Sequence, residues 1–277
     1  MSKAVSVTLN RTYAKGLARG AGAALLFALP LLMTMEMWWL GGFAVDRMRL
    51  LIFLVASMPM LLGLSYYAGF EPTFCLTDEI LDALAAFGIG VAVSASALGL
   101  FAVLQGASLS DMVGKVAICA VPAAIGALLG GKQFAQRAED DLRQRGRPGY
   151  PGVLFLMTVG AIFLAFNVAP TEEMVLISHL MGPGHALGLI AVSVVLLHVF
   201  VYALGFPGED ERRGLASNWR TTFVFTLPGY AISLGVSVYC LWTFGRLDGV
   251  ALHEQATMAV VLAFPAALGA ATARLVV

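Results

Sequence analysis

Two glutamates stand where a carboxylate is costly. Glu36 lies in the apolar run ALPLLMTMEMWWL (residues 28–40) and Glu173 in AFNVAPTEEMVLI (165–177). A charged side chain at the centre of a membrane helix costs about 2.5 to 3.5 kcal/mol on insertion scales, and less toward its ends, so such a residue is a functional candidate by default. The two runs share a T-x-E-M signature, Thr34-x-Glu36-Met37 and Thr171-x-Glu173-Met174, at an offset of 137 residues, close to half of the 277-residue chain.

A carboxylate in apolar surroundings must be protonated, hydrated or compensated by a cation. No Lys or Arg is expected well inside a span, so compensation by a bound inorganic cation is the chemistry these residues suggest. Oxygen ligands suit hard ions such as Ca²⁺, and acidic side chains are a common device for cation selectivity. Glu36 and Glu173 are therefore the candidate metal ligands, with Glu172, Thr34, Thr171 and Asn167 as candidate cation-binding neighbours. Pro170 removes a backbone donor and should kink the chain just before Glu172 and Glu173. Pro30 precedes Thr34 by one turn. Thr34 and Glu36 are two apart and point to different sides of a regular helix, so both serve one site only if the backbone there is irregular. The bland alternative is that Glu36 simply reaches the outer interface beside an aromatic belt of Trp38 and Trp39.

The elements that must position these groups are membrane helices. Hydrophobic residues make up 59% of the chain and charged residues 12%, mean hydropathy is +0.85, and soluble domains carry roughly 25% charge. The expected fold class is an all-α integral membrane protein. Eight apolar runs are long enough to cross a bilayer, at about residues 21–44, 50–69, 82–104, 114–131, 152–178, 186–206, 221–244 and 256–276. The first run is too long for a signal-peptide core, so no cleavable leader is expected. Net charge is zero, which gives no reason to expect a nucleic-acid partner. Three scattered cysteines, Cys75, Cys119 and Cys240, imply neither a disulfide framework nor a thiolate metal site.

Further pairs extend the internal duplication. VPAAIGA (121–127) matches FPAALGA (264–270), and YYAGF (66–70) resembles VYALGF (201–206). The expected organisation is a cytoplasmic N-terminal segment (1–20), a first four-helix repeat (21–131), a charged linker (132–150) and a second four-helix repeat (151–277). An even number of spans per half makes the repeats parallel, related by a pseudo-two-fold axis along the membrane normal, with a site commonly at the repeat interface. The small-residue motifs themselves are most simply close-packing surfaces.

With both termini inside, 13 basic residues fall on inner segments, and Arg47, Arg49, Lys115 and Arg246 complete the 17 on outer ones. This follows the positive-inside rule and predicts a multi-pass protein of a bacterial inner membrane with cytoplasmic termini. Reporters fused after Arg143 and after Arg212 should both read cytoplasmic; a periplasmic reading at either would remove the four-plus-four arrangement.

His179 and His185 flank a GPG turn and read as solvated loop residues, His198 as a packing residue within a span. The acidic loop from Glu71 to Asp82 (Glu71, Asp78, Glu79, Asp82) reads as a solvated face or a cation-gathering mouth. No HExxH, GxSxG or phosphate-binding glycine loop is present, so no enzyme activity is expected. The expected partners are the lipid bilayer and an inorganic cation, and a homo-oligomer is compatible with the same pattern.

At LPLLMTMEMWW, AFNVAPTEEM and the eight-span plan, the sequence resembles an uncharacterised bacterial family of eight-helix integral membrane proteins. The resemblance covers nearly the whole chain from about Gly20. It implies the membrane architecture and carries over no functional residue. The expected function, a cation channel or cation transporter, rests on the duplicated glutamates. Its alternative is an assembly protein whose protonated glutamates tie the two halves together.

Overall fold

A computed structural model describes residues 2–41, 46–68, 76–133, 149–202 and 222–276. Most of the charged linker and the second charged loop (207–220) lie outside these residues, as do Glu71, Cys75 and most of the YYAGF and VYALGF pair. Among the described residues all regular structure is helical, and eight helices are long and apolar enough to span a membrane. The chain divides into two compact units, Met1–Arg147 and Pro148–Val277.

The first unit contains α1 (Ser2–Met33), the short α2 (Met35–Trp39), α3 (Arg47–Ala68), α4 (Leu76–Leu100) and α5 (Leu109–Gln133). Helix α5 is its hub and packs on α1, α4, α3 and α2. The span on α5 is 83% buried, against 33% or less for those on α1, α3 and α4. The reason is the composition of VPAAIGA: Ala123, Ala124 and Ala127 are fully buried, as is Ala120 just before it, and small side chains let neighbouring backbones approach. A Cβ built on Gly126 would lie 2.6 Å from the Cβ of Phe27 and 3.4 Å from the carbonyl oxygen of Ala23, both on α1.

The second unit contains α6 (Tyr150–Val168), the short α7 (Glu172–Leu180), α8 (Pro183–Tyr202), a π-helical turn (Thr222–Thr226), α9 (Leu227–Thr243) and α10 (Leu252–Val276). Its hub is again the last helix, since α10 packs on α6, α9, α8 and α7. Ala263, Ala266 and Ala270 are fully buried. A Cβ on Gly269 would lie 2.8 Å from the carbonyl carbon of Gly160 and 3.0 Å from the Cβ of Leu164, both on α6. In sequence Gly269 corresponds to Gly126, and Gly160 and Leu164 correspond to Ala23 and Phe27. The same contact therefore recurs within each unit. Helix α8 is the least covered, with 11% of its span buried, and it exposes Leu187, Val192, Val195 and Val199. An apolar face of that kind needs lipid or another apolar surface.

Three sequence expectations are corrected here. The first and fifth apolar runs are not single helices: α1 stops at Met33 and α6 at Val168, and each is followed by a separate short helix. The third span starts at Leu76 rather than 82, because Asp78 and Glu79 occupy its first turn, where the helix dipole favours acidic side chains. The expectation of no basic residue well inside a span also fails, since Lys115 lies within the α5 span and is only 6% exposed.

Candidate functional site

The T-x-E-M signatures mark helix breaks. Thr34 is extended (φ −84°, ψ 114°) between α1 and α2, and Thr171 is extended (φ −75°, ψ 146°) between α6 and α7. Each threonine is an N-cap, a position that suits Ser, Thr, Asp and Asn. Each hydroxyl turns back to the helix it leaves: Thr34 Oγ1 donates to the Pro30 carbonyl (2.6 Å) and Thr171 Oγ1 to the Val168 carbonyl (2.9 Å). The Thr34 and Thr171 amides donate to the carbonyls of Leu31 and Val168. These bonds satisfy acceptors that the end of a helix would otherwise leave open.

The rest of the signature follows from that geometry. Glu36 and Glu173 occupy the second position of their short helices, where a negative charge interacts favourably with the helix N-terminus. Met37 and Met174, one residue on, are fully buried anchors at 0% and 1% exposure. The irregular backbone that Thr34 and Glu36 needed to serve one site is thus present.

The candidate residues have different surroundings. Asn167 donates its side-chain amide to the Phe163 carbonyl of its own helix (2.7 Å). Thr34, Thr171 and Asn167 therefore use their donors locally and keep acceptor lone pairs. Glu172 is paired with Arg246, Nη1 to Oε1 at 2.8 Å, which corrects the expectation that these carboxylates lack a cationic partner. Glu36 is half-buried and Glu173 exposed, and neither carboxylate makes a hydrogen bond or ion pair among the described residues. Glu173, Glu172, Val175, Leu176 and His179 line one open groove.

Arg246 and Lys115 are the residues that sequence reasoning missed. The second guanidinium nitrogen of Arg246 donates to the Pro170 carbonyl, so one side chain ties the turn of the α6–α7 break to the start of α7. In the first unit, Lys115 Nζ donates to the Val103 carbonyl (3.1 Å) and lies 5.8 Å from the centroid of the Trp38 ring on α2. A cation over an aromatic face is attracted by the ring quadrupole. Each unit therefore brings a basic side chain to the short helix after its break.

The loops before the two hub helices also match. In FAVLQGA (101–107), Ala102 and Gly106 have φ of 60° and 71°; in FGRLDGV (244–250), Gly245 and Gly249 have φ of 69° and 72°. The Val103 amide donates to Leu98 and the Arg246 amide to Leu241, while Ala102 and Gly245 donate to Gly99 and Trp242. Both are Schellman endings. Their offset of 143 is that of the PAA motifs, which is the signal by which this pair was discoverable. Val103 stands where the second unit has Arg246.

Of the histidines, His179 lines the groove, with its ring against its own helix. His179 Nδ1 lies 2.8 Å from the Val175 carbonyl, and His198 Nδ1 lies 3.0 Å from Thr226 Oγ1. His185 is exposed, and Asp82 is buried in α4. Among the described residues no three His, Cys, Asp or Glu side chains are grouped as a metal site.

Comparison with known families matches residues 16–277 to the family described as "Putative integral membrane protein (DUF2391)". No curated protein and no solved structure matches the chain.

Proposed function

Because the chain belongs to this family of integral membrane proteins, we propose that its two units are parallel repeats forming a cation channel or cation transporter. In this reading a pseudo-two-fold axis runs along the membrane normal, and Glu36 and Glu173 stand at equal depth on either side of it, in the outer half of the bilayer. The carboxylates replace part of the hydration shell of Ca²⁺ or another divalent ion, and oxygens from Thr34, Thr171 and Asn167 complete the polar lining.

The observation that carries the proposal is the matched break. The first spanning helix of each unit ends at an extended threonine, and a short helix with a glutamate at its second position follows. Interrupted helices at corresponding positions of two halves are the best pointer to a transporter's binding region. Supporting it, Glu36 and Glu173 have no side-chain partner among the described residues, whereas the neighbouring Glu172 does.

A second reading, an assembly protein without flux, draws on a different observation: the threonine donors and buried methionines of the signature hold the short helices by themselves. A screen of Ca²⁺, K⁺ and proton flux across sealed liposomes containing the purified protein separates the two. The transport reading expects flux of at least one cation without consumption of any substrate. Liposomes no more permeable than protein-free ones support assembly.

A further inference from the structure

The α6–α7 break brings two adjacent carboxylates to one place, and the contacts of Arg246 treat them differently. Its guanidinium bonds the Glu172 carboxylate at the start of α7 and the Pro170 carbonyl in the turn behind it. Arg246 is 16% exposed, whereas Glu172 is 68% exposed. The arginine is thus packed into the unit and reaches outward to hold a mobile-length side chain and a backbone oxygen. A planar fork with several donors suits such a two-acceptor grip, which a point-charge ammonium does not reproduce.

Its own position is fixed from the other side. Gly245 and Gly249 adopt positive φ, the Arg246 amide closes the Schellman ending on Leu241, and Gln255 on α10 donates to the carbonyls of Leu247 and Val250. A rigid turn between the ninth and tenth helices therefore presents Arg246 to the break. In the first unit the matched turn carries Val103, which can hold no carboxylate, and Met35 stands where the second unit has Glu172. The arginine and its carboxylate occur together in one unit and are replaced together by apolar residues in the other.

We infer that Arg246 is a positioning residue that latches the α6–α7 break, with Glu172 as its structural counter-charge, so that Glu173 is the carboxylate left for a cation. The assignment of a cation to Glu173 rests on the proposed transport function; the latch does not. Glu172 thereby leaves the set of cation-binding candidates.

The test is amide hydrogen exchange of the full chain in lipid nanodiscs, read at Ala169 and Thr171, whose amides bond to Ala165 and Val168 at the end of α6, next to the turn that Arg246 grips. Arg246→Val, which copies the residue of the first unit's turn, should accelerate exchange at these amides roughly tenfold or more, the loss expected for hydrogen bonds to a charged group. Arg246→Lys should be intermediate, and Glu172→Gln should accelerate exchange less than Arg246→Val because the Pro170 contact survives. Glu173→Gln should leave exchange at wild-type rates. Wild-type exchange in Arg246→Val overturns the latch, as does an equal acceleration throughout α6 and α10, which marks general destabilisation. Acceleration in Glu173→Gln equal to that in Glu172→Gln overturns the division of roles. Absence of flux in liposomes would remove the transport function and leave the exchange result to decide the latch.

Discussion

Adding a single methyl group at Gly269 is expected to destabilise the second unit severely. Alanine is the better helix former by about 1 kcal/mol, so propensity alone predicts a gain. Packing predicts the opposite, since the new Cβ would meet the Gly160 backbone, with its carbonyl carbon 2.8 Å away, and backbone cannot rotate aside. Overpacking of a close-packed interior typically costs about 1 to 3 kcal/mol, and a clash with main chain falls at the upper end. Gly126→Ala should be milder though still destabilising, because its nearest contact, the backbone-fixed Cβ of Phe27, lies 2.6 Å away and the nearest main-chain atom, the Ala23 carbonyl oxygen, lies at 3.4 Å. Gly188→Ala and Gly235→Ala, with no atom within 4 Å of the new Cβ, should be neutral or stabilising. Thermal unfolding of the four variants in one detergent checks the order. A Gly269→Ala protein as stable as Gly188→Ala would contradict the packing of α10 on α6.

Glu36→Gln and Glu173→Gln should each reduce cation flux by about tenfold or more, the change that follows when a site loses roughly 1.4 kcal/mol of ion stabilisation. Glutamine keeps the shape of the side chain and removes the charge that offsets the ion's lost hydration. The fold should survive both changes, because neither carboxylate has a side-chain partner among the described residues and the breaks are held by Thr34, Thr171 and the buried Met37 and Met174. Glu36→Asp and Glu173→Asp should retain partial flux of a divalent ion. Full flux in both Gln variants, or loss of flux together with loss of fold, would remove support for the ion site.

The sequence is most legible where one property is written over many residues. Eight apolar runs and low charge density specify a helical membrane protein, and each run has a corresponding spanning helix. The small residues of VPAAIGA and FPAALGA announce close packing, and they mark the hubs of the two units. The breaks are less legible. Pro170 signals one, but the first break lies at Thr34, four residues beyond Pro30, which α1 incorporates. What marks Thr34 is an N-cap pattern, threonine followed by an acidic first turn, and it is masked by a run that stays apolar on both sides. Arg246 was illegible for another reason. It is 74 residues from Glu172 and reads as one basic residue of a short loop, so its role emerges only when the turn brings it to the break. Lys115 likewise reads as a flank, because its surroundings, the Val103 carbonyl and the Trp38 ring on α2, come together only in the fold.

The account's central claim, that Glu36 and Glu173 are equivalent parts of a cation pathway, is tested most directly by parallel flux measurements in sealed liposomes. Wild type, Glu36→Gln and Glu173→Gln are reconstituted at equal density, and Ca²⁺, K⁺ and proton entry are followed, with unfolding temperatures recorded on the same preparations. The account predicts wild-type flux of at least one cation, a similar large loss in both variants, and unchanged unfolding temperatures. Equal flux in all three proteins would contradict it.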